Sequence, residues 1–580
     1  MAVRASDTMA SVSLFVEMLR TRPHTLFWAM AALQAVPWTL VPWLFYSAPP
    51  GQLPEVLAIG NDFQFGTEYG PPLAFWLAEI VYRVLGLFGV YLLSQLCIVV
   101  VYWAVFQLGR EMVGEAHAVM AVLLMAGIAV FSLPTPDFGP AILAAAIWSL
   151  MLFHYWRAAG RKEWTYWLAL GVEAGLLLLT TYAGVILLGL LVLFMVATPV
   201  GRRHLDSVGP WVAGLIAVVL LFPYLIWLDL TGGPVLPDAR AILRNLRAWA
   251  QLPLLLAISH IGFVILIVLG RGFIIKSGGR PPEVTREPVD PGARAFVYFF
   301  ALAPILAMGL FALITHRADS FVVTPLVVLS GLAAIIAAGD RIRIEHQYLI
   351  GMIWAALMLL PPVLVVLAVL TVPWTLATDL KIGRPAADMG QFFGESFQRR
   401  TGKPLAIVTG DRTTAALVAY SAPSRPSLYI ADAPAYASYV TRSEIDDQGA
   451  VVVWPTTDTS GRPPPEIAQQ FPDLVAEVPR AFPRRFQGRM PLQRVGWAML
   501  RPRGQAPDAP PAQPSAPLPL PTPPAEFPIQ SPSQQQAQPQ PLPQGQPASP
   551  GQAAPQRQPQ REPQRQFQQR PSQPPLHAPQ

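Results

Sequence analysis

Residues 63–80 read FQFGTEYGPPLAFWLAEI, a polar stretch that gives way to an apolar run at Pro71 and Pro72. Proline is tolerated in the first turn of a helix, because the amide hydrogen that it lacks would have no helical partner there. Glu79 and Arg83 have the spacing of neighbours on one helix face. The stretch therefore predicts a helix that begins at the prolines and lies along a membrane surface rather than crossing the membrane.

The sequence on both sides of this stretch is strongly apolar. The chain has 580 residues, of which 53% are hydrophobic and only 13% charged, whereas soluble domains carry about 25% charged residues. Nearly uncharged runs recur along the first two thirds, and most reach the roughly 17–25 residues needed to cross hydrocarbon. We expect a polytopic α-helical membrane protein with about eleven spans, near residues 25–47, 84–107, 117–134, 138–156, 165–181, 183–199, 209–229, 252–270, 295–315, 320–338 and 348–372.

Basic residues in the loops predict the orientation, because cytoplasmic loops carry an excess of lysine and arginine. With the N-terminus (residues 1–24) in the cytoplasm, the inner loops hold most of them: Arg4, Arg20, Arg22, Arg110, Arg157, Arg161, Lys162, Arg202, Arg203, Arg271, Lys276, Arg280, Arg286, Arg294, Arg341 and Arg343. The outer loops hold only Arg83, Arg240, Arg244, Arg247 and Arg317. An odd number of spans then puts the C-terminal part in the periplasm of a bacterial inner membrane protein.

The N-terminal region and the single cysteine bear on membrane anchoring and on disulfide bonding. No cleavable signal peptide precedes residue 25, so we expect the first apolar run to stay as an anchor. The only cysteine, Cys97, lies inside a predicted span, which excludes an intrachain disulfide.

Beyond the membrane part, residues 25–372, the composition changes twice. Residues 373–503 are mixed, with strand patterns at 404–408, 427–430 and 450–455 and a helix pattern at 413–420, which predicts a small α/β domain. Residues 504–580 are almost wholly proline, glutamine, alanine and serine, and we expect them to be disordered. A solvated tail is the simpler interpretation, and binding of its arginines to an anionic envelope polymer is the alternative.

Carboxylates gather in the predicted outer loops. The first outer loop holds Glu55, Asp62 and Glu68, and the second, SLPTPDFGPAIL, holds Asp137 between two prolines. Loop carboxylates are commonly only solvated, and Asp137 could also cap the helix that follows it. The alternative is that they form a catalytic cluster at the membrane surface.

Cations gather in later outer loops. Arg240, Arg244 and Arg247 have a spacing that places them on one helix face, and His316 and Arg317 lie in the next outer loop. These residues could rest on anionic head groups. They could equally hold a specific phosphate, which the arginine fork suits.

Two ionisable residues lie inside predicted spans, Glu173 and His260. Such residues suggest function, although a Glu173 bonded to a neighbouring helix is the slightly favoured alternative. The sequence has no P-loop, dinucleotide fingerprint, HExxH motif or Cys/His metal spacing. We therefore expect neither nucleotide hydrolysis nor nucleic-acid binding.

Five segments together resemble a known superfamily: EYGPPLAFWLAEI, TPDFGPAILAAAIWSLMLFHYWRA, WLALGVEAGLLLLTTYAGVILL, FPYLIWL and HRADSFVVTPLVVL. Over residues 25–372 the chain resembles the GT-C membrane glycosyltransferases, in the branch of family-39-type, RgtA/B/C/D-like proteins. That branch is related to the protein O-mannosyltransferases and the lipid A aminoarabinose transferase.

The resemblance implies an activity and its partners. The donor would be a sugar on a polyprenyl phosphate, and the acceptor a lipid, glycan or protein of the cell envelope, including lipopolysaccharide. A carboxylate would deprotonate the acceptor hydroxyl, and cations would stabilise the leaving phosphate. No cofactor is expected other than a candidate divalent cation, whose ligands the resemblance does not define.

The resemblance also implies site residues. Asp137 matches its family position, while an early Asp-Glu pair of the first outer loop reads Pro54-Glu55 here. We therefore expect Glu55 to act as the base, with Glu68 in reserve, and Asp137 to orient the acceptor or a cation. Donor phosphate contacts are expected from Arg240, Arg244, Arg247, His316 and Arg317.

Two further departures leave other functions open. Gly70 stands where the family has a basic residue, and Thr181 stands where it has lysine. With Pro54 in place of the expected aspartate, a non-catalytic scaffold with the same fold is one alternative. A transporter or flippase for a lipid-linked sugar is the other, although polar residues concentrated on one membrane face argue against it.

Overall fold

The computed structural model describes residues 17–67, 69–133, 136–161, 164–231, 246–270, 283–314, 323–344, 346–431 and 440–503, without the side chains of residues 161, 246–250 and 312–314. The helices of the membrane part are α1 Pro23–Phe45, α2 Leu53–Gly60, α3 Leu73–Val113, α4 Glu115–Met125, α5 Ala129–Ser132, α6 Pro140–Arg161, α7 Thr165–Leu178, α8 Gly184–Ala197, α9 Pro199–Leu205, α10 Gly209–Thr231, α11 Leu246–Ser259, α12 Ile261–Gly270, α13 Pro291–Ile314, α14 Val323–Leu326, α15 Ser330–Ala337 and α16 Gln347–Thr375.

The helical part is that of a multi-pass membrane protein. Among the described residues, six helices are long and apolar enough to cross a membrane: α1, α3, α6, α10, α13 and α16. The pairs α8–α9 and α11–α12 bend by 104° and 47° and bring the number to 8 if each pair is one span. The expected segments 117–134, 165–181 and 320–338 contain only shorter apolar helices, so the length criterion supports six to eight spans.

Helix α3 combines two helical segments that meet at Gly86. Gly86 has φ 62° and ψ −157°, and this break separates the helix that starts after Pro72 from a long apolar helix. The left-handed φ suits glycine, which has no Cβ to clash. Glu79 and Arg83 form an ion pair of 2.8 Å one turn apart, as their spacing predicts. The Pro-Pro segment is thus a short helix of its own, beside α2.

The helices pack closely through small residues. Gly171 of α7 lies against α10 so tightly that a Cβ there would come within 2.8 Å of the Ala213 carbonyl oxygen. Such contacts let helices approach in an apolar environment, where packing rather than water exclusion holds them together. Helix α7 packs between α6 and α10, and α6 packs against α3.

The C-terminal part is a five-stranded α/β sheet. Its elements are α17 Ala386–Thr401, β3 Ile407–Gly410, α18 Arg412–Ser421, β4 Ser427–Leu428, α19 Arg442–Gln448, β5 Ala450–Pro455, α20 Pro465–Gln470, β6 Arg480–Phe482 and β7 Gln493–Leu500. The strand order is β4-β3-β5-β7-β6, in which β3 runs parallel to β4 and β5, and β7 runs antiparallel to β5 and β6. A separate two-stranded antiparallel sheet, β1 Glu283–Thr285 with β2 Arg341–Arg343, belongs to the membrane part.

Candidate active site

Asp137 lies in the loop before α6, yet it caps a different helix. Its Oδ1 accepts a hydrogen bond from the backbone N–H of Gln52, at 3.2 Å, just before α2. Gly51 has φ +54°, and a Cβ there would come within 1.8 Å of Asp137 Oδ2. The carboxylate therefore occupies the place of a side chain at position 51. The expectation that Asp137 could cap its own helix is replaced by this bond to the start of α2.

Burial raises the pKa of Asp137 to about 7. The backbone N–H groups of Gln52 and Leu53 oppose this shift, and the charge of Glu55 adds to it. Glu55 stands in the first turn of α2, so the two predicted acids share one small region. A carboxyl group with a pKa near neutrality can exchange a proton at physiological pH, which a catalytic base must do.

Glu55 is held by a residue from the C-terminal domain. Its Oε2 accepts a hydrogen bond from Nε of Arg412 at 3.0 Å and another from the hydroxyl of Tyr69. The Arg412 guanidinium also lies over the Tyr69 ring, with its central carbon 4.8 Å from the ring centre. Glu55, the expected base, is therefore an ion-paired carboxylate whose side chain is 15% exposed.

Arg412 is not among the site residues predicted from the sequence, although a local signal exists. Arg412 opens α18, directly after the N-cap Asp411, which accepts a bond from Thr414 N–H at 3.0 Å. The positive end of the helix dipole disfavours a cation in the first turn. A carboxylate partner offsets this cost, and here the partner is Glu55.

A second contact joins the same two parts of the molecule. Glu79 of α3 is almost fully buried and pairs with both Arg83 and Arg425. Arg425 also donates to the Leu57 carbonyl oxygen at 3.1 Å, at the end of α2. Asp62, another candidate acid, accepts a bond of 2.8 Å from the hydroxyl of Ser427, and burial raises its pKa. Asp62 thus belongs to the contact with the C-terminal domain.

Aromatic residues pack beneath the first outer loop. Gly66 lies against Trp227 of α10, so that a Cβ at position 66 would be 2.1 Å from the indole ring. Trp227 stacks on Tyr224, and the Tyr224 hydroxyl is 2.7 Å from that of Tyr182. These contacts hold the loop between α2 and α3 over the end of α10.

The remaining predicted residues of the site are not placed. Glu68, Arg240, Arg244, His316 and Arg317 lie outside the described residues, and Arg247 lies in α11 without a described side chain. Their roles stay predictions. In the part of the chain that the structure describes, no three His, Cys, Asp or Glu side chains are grouped closely enough to hold a metal ion, so the candidate cation also stays a prediction.

The two ionisable residues inside spans have structural partners. Glu173 of α7 bonds to Nδ1 of His154 on α6 at 2.7 Å, which is the bond to a neighbouring helix that the sequence favoured. His260, at the bend between α11 and α12, contacts the Ser330 hydroxyl at 3.2 Å and the Leu256 carbonyl oxygen at 2.8 Å. Both residues join helices to one another, and neither contacts Glu55 or Asp137 in these bonds.

Comparison with known proteins shows similarity to membrane glycosyltransferases. The sequence matches the dolichyl-phosphate-mannose-protein mannosyltransferase family over residues 69–227. No curated protein matches it. The fold is similar to the crystal structure of ArnT from Cupriavidus metallidurans bound to undecaprenyl phosphate, with a TM-score of 0.51, 12% identity, and coverage of 82% of this chain and 97% of that one.

A weaker similarity is to the apo oligosaccharyltransferase of Archaeoglobus fulgidus, with a TM-score of 0.38, 16% identity, and coverage of 69% of this chain and 64% of that one. The mannosyltransferase match covers residues 69–227, and the ArnT similarity extends to the fold of most of the chain.

Proposed function

We propose that the protein is an inverting glycosyltransferase that moves a sugar from a polyprenyl phosphate to a hydroxyl group of a cell-envelope lipid, glycan or protein. The observation that carries this proposal is Asp137, a carboxyl group with a pKa of about 7 at the start of α2. The ArnT crystal structure holds undecaprenyl phosphate. The shared fold supports a donor of the same chemical class.

In this mechanism Asp137 is the base. It takes the proton of the acceptor hydroxyl while the oxygen attacks the anomeric carbon of the sugar. The bond between that carbon and the phosphate oxygen breaks, and the polyprenyl phosphate leaves from the opposite face. A base with a pKa near the working pH combines a useful ionised fraction with a strong drive to accept the proton.

Glu55 then has a different role from the one expected of it. Because Arg412 and Tyr69 already bind its carboxylate, Glu55 is better suited to hold Arg412 in place over Tyr69. The donor phosphate remains assigned to Arg240, Arg244, Arg247, His316 and Arg317 as a proposal. Arginine in these outer loops suits a phosphate that sits at the membrane surface.

The proposed location is the bacterial inner membrane, with the N-terminus in the cytoplasm and residues 373–580 in the periplasm. The loop charges support this orientation. A reporter that is active only outside the cytoplasm should be active when fused near residue 480 and inactive near residue 280. The reverse pattern would contradict the orientation and put the site on the wrong side for an envelope acceptor.

The activity is tested with protein in lipid nanodiscs and a radiolabelled polyprenyl-phosphate sugar, with membrane extract as the source of acceptors. We expect label transfer by the native protein and none above background by Asp137→Asn. Asp473→Asn, an exposed carboxylate of the C-terminal domain, is the control and should transfer normally. Transfer by Asp137→Asn at the native rate would remove Asp137 from the mechanism.

A non-catalytic scaffold is the second candidate, and one observation favours it. Glu55 stands at an acidic position of the family, and its carboxylate forms an ion pair with Arg412. That carboxylate is therefore not free to act as a base. If the native protein binds a polyprenyl-phosphate sugar but releases no free polyprenyl phosphate with any acceptor fraction, this second function is the correct one.

A further inference from the structure

A cavity of about 860 Å³ lies at the far end of the helical part from the carboxylates. It opens between α4, α12, α15 and α16 and the two-stranded sheet of β1 and β2. Ligand pockets commonly measure about 300–1,000 Å³, so this space is large enough for a substantial molecule. The site described above does not use it.

Helices α16 and α1 show where the cavity lies relative to the C-terminal domain. Trp354, near the start of α16, lines the cavity, whereas Pro373 near the end of α16 accepts a bond from the Arg489 N–H of the C-terminal domain at 2.8 Å. A helix of 29 residues is roughly 43 Å long. Leu19, just before α1, also lines the cavity, while Leu44 near the other end of α1 contacts Arg485. The cavity and the candidate active site therefore lie at opposite ends of the same helices.

The walls of the cavity suit hydrocarbon. Leu123, Ile267, Ile335 and Trp354 are among its apolar lining residues. The indole N–H of Trp354 already donates to the Leu123 carbonyl oxygen at 3.0 Å, so it needs no polar ligand. Apolar lining atoms gain dispersion contacts when hydrocarbon packs against them, and the surrounding bilayer supplies hydrocarbon.

The mouth of the cavity is positively charged. Arg341 and Arg343 are two residues apart on β2, so their side chains leave the strand on the same side. Both residues are exposed and line the cavity together with Glu283. Glu283 is 3.9 Å from Arg343, and its backbone carbonyl oxygen accepts a bond of 2.6 Å from Arg20. Among the described lining residues, two arginines stand against one glutamate, which leaves a net positive rim around an apolar interior.

We propose that this cavity binds one anionic phospholipid of the surrounding bilayer, with an acyl chain between α4, α12 and α16 and its phosphate at Arg341 and Arg343. The charge of the rim selects the lipid, because hydrocarbon alone does not distinguish one phospholipid from another. Each basic residue near a membrane surface favours an anionic lipid by about 5.5-fold, and two give about 30-fold. This inference is independent of the proposed glycosyl transfer.

The test uses native mass spectrometry. The full chain is reconstituted in vesicles of equal parts phosphatidylglycerol and phosphatidylcholine, extracted with detergent, and the lipid that stays bound is identified. We expect one retained phosphatidylglycerol. The double variant Arg341→Glu/Arg343→Glu should lose it by tenfold or more. The control Arg203→Glu changes an exposed arginine at the same end of the helices, outside the cavity, and should retain it.

A second variant fills the cavity. Gly351 lines it, and a Cβ added there meets no atom within 4 Å, so Gly351→Phe has room for its ring and should also abolish retention. Thermal melting checks that each variant is folded. If Gly351→Phe does not fold, the exposed double variant decides alone.

Three outcomes would overturn the proposal. The native protein could retain no lipid, which would mean that its own residues fill the space. It could retain phosphatidylcholine equally well, which would remove the role of the arginines. Added undecaprenyl phosphate could displace phosphatidylglycerol at equal concentration, which would assign the cavity to the donor lipid instead.

Discussion

Asp137 and Glu55 are two carboxylates at the start of one short helix, α2. Their surroundings differ: burial raises the pKa of Asp137, whereas Glu55 forms an ion pair. Asp137 faces the backbone N–H groups of Gln52 and Leu53 and has a pKa raised to about 7. Glu55, one turn further on, is bound by the Arg412 side chain from a distant part of the chain. The pair teaches that the acid at the expected sequence position need not be the one whose environment suits proton transfer.

The largest expected effect is on catalysis. Asp137→Asn keeps an oxygen to accept the Gln52 N–H but removes the base, and loss of a general base costs about 10²–10⁴ in rate. Glu55→Gln should cost less than about tenfold, since its carboxylate acts through Arg412. Steady-state sugar transfer by the two purified variants measures the difference. A larger loss in Glu55→Gln would return the role of base to Glu55.

The next effect is the pH dependence of transfer. Asp137 must be ionised to accept a proton, so the rate should rise with pH and level off above about 7. Below that value each pH unit should lower the rate about tenfold, as for a single ionising base. A kcat/KM profile between pH 5 and 9 shows this. A profile that is flat from pH 5 to 8 would exclude Asp137 as the base.

A smaller effect concerns stability and has the opposite sign for the two acids. Because folding raises the pKa of Asp137, its protonated form contributes stability at low pH, and this contribution is lost as pH rises through about 7. Asp137→Asn should therefore melt at a higher temperature than the native protein at pH 8, with the gap closing toward pH 5. Glu55→Gln loses an ion pair and should melt lower at pH 8. Fluorescence melting curves at both pH values compare them, and a lower melting temperature for Asp137→Asn at pH 8 would contradict the burial of its charge.

The smallest effect is the coupling between Glu55 and Arg412. About a third of the Arg412 side chain is exposed, so solvent screens the pair and its coupling should be near the 0.2–1 kcal/mol of exposed ion pairs, about 1 kcal/mol at most. A double-mutant cycle of Glu55→Gln and Arg412→Gln in chemical unfolding measures it. The pair Arg400 and Glu477, within the C-terminal domain and about one third exposed on each side, is a matched control. A Glu55–Arg412 coupling above 3 kcal/mol would mean that the pair is sealed from water.

The sequence predicted those features that depend on local pattern. The Pro-Pro helix, the Glu79–Arg83 pair and the bond from Glu173 to a neighbouring helix follow from spacing and from the cost of charge in hydrocarbon. Asp137 could be recognised as a candidate from its position before α6. Its bond to Gln52 could not, because that contact depends on how two loops 85 residues apart meet.

The partners of Glu55 and Glu79 could not be predicted from the sequence, for the same reason. Arg412 and Arg425 lie 357 and 346 residues from Glu55 and Glu79, and nothing in a linear pattern encodes such pairings. Strand β7 was missed because QRVGWAML does not alternate cleanly between apolar and polar residues: it lies between β5 and β6, with its central residues all buried. A single sequence therefore does not predict the contacts between the membrane part and the C-terminal domain.

The distance along the chain between Glu79 and Arg425 has a consequence for biosynthesis. Glu79 is almost fully buried in the finished protein, and its arginine from the C-terminal domain is encoded 346 residues later. At roughly 5–20 residues per second, the ribosome needs about 17–70 s to reach it. During that interval Glu79 lacks this arginine and the first outer loop lacks its contacts with the C-terminal domain, so the nascent chain must keep these groups hydrated or shielded by other factors. Messages that end before codon 425 should then yield a membrane part that quality-control proteases remove, even though all of its helices are complete.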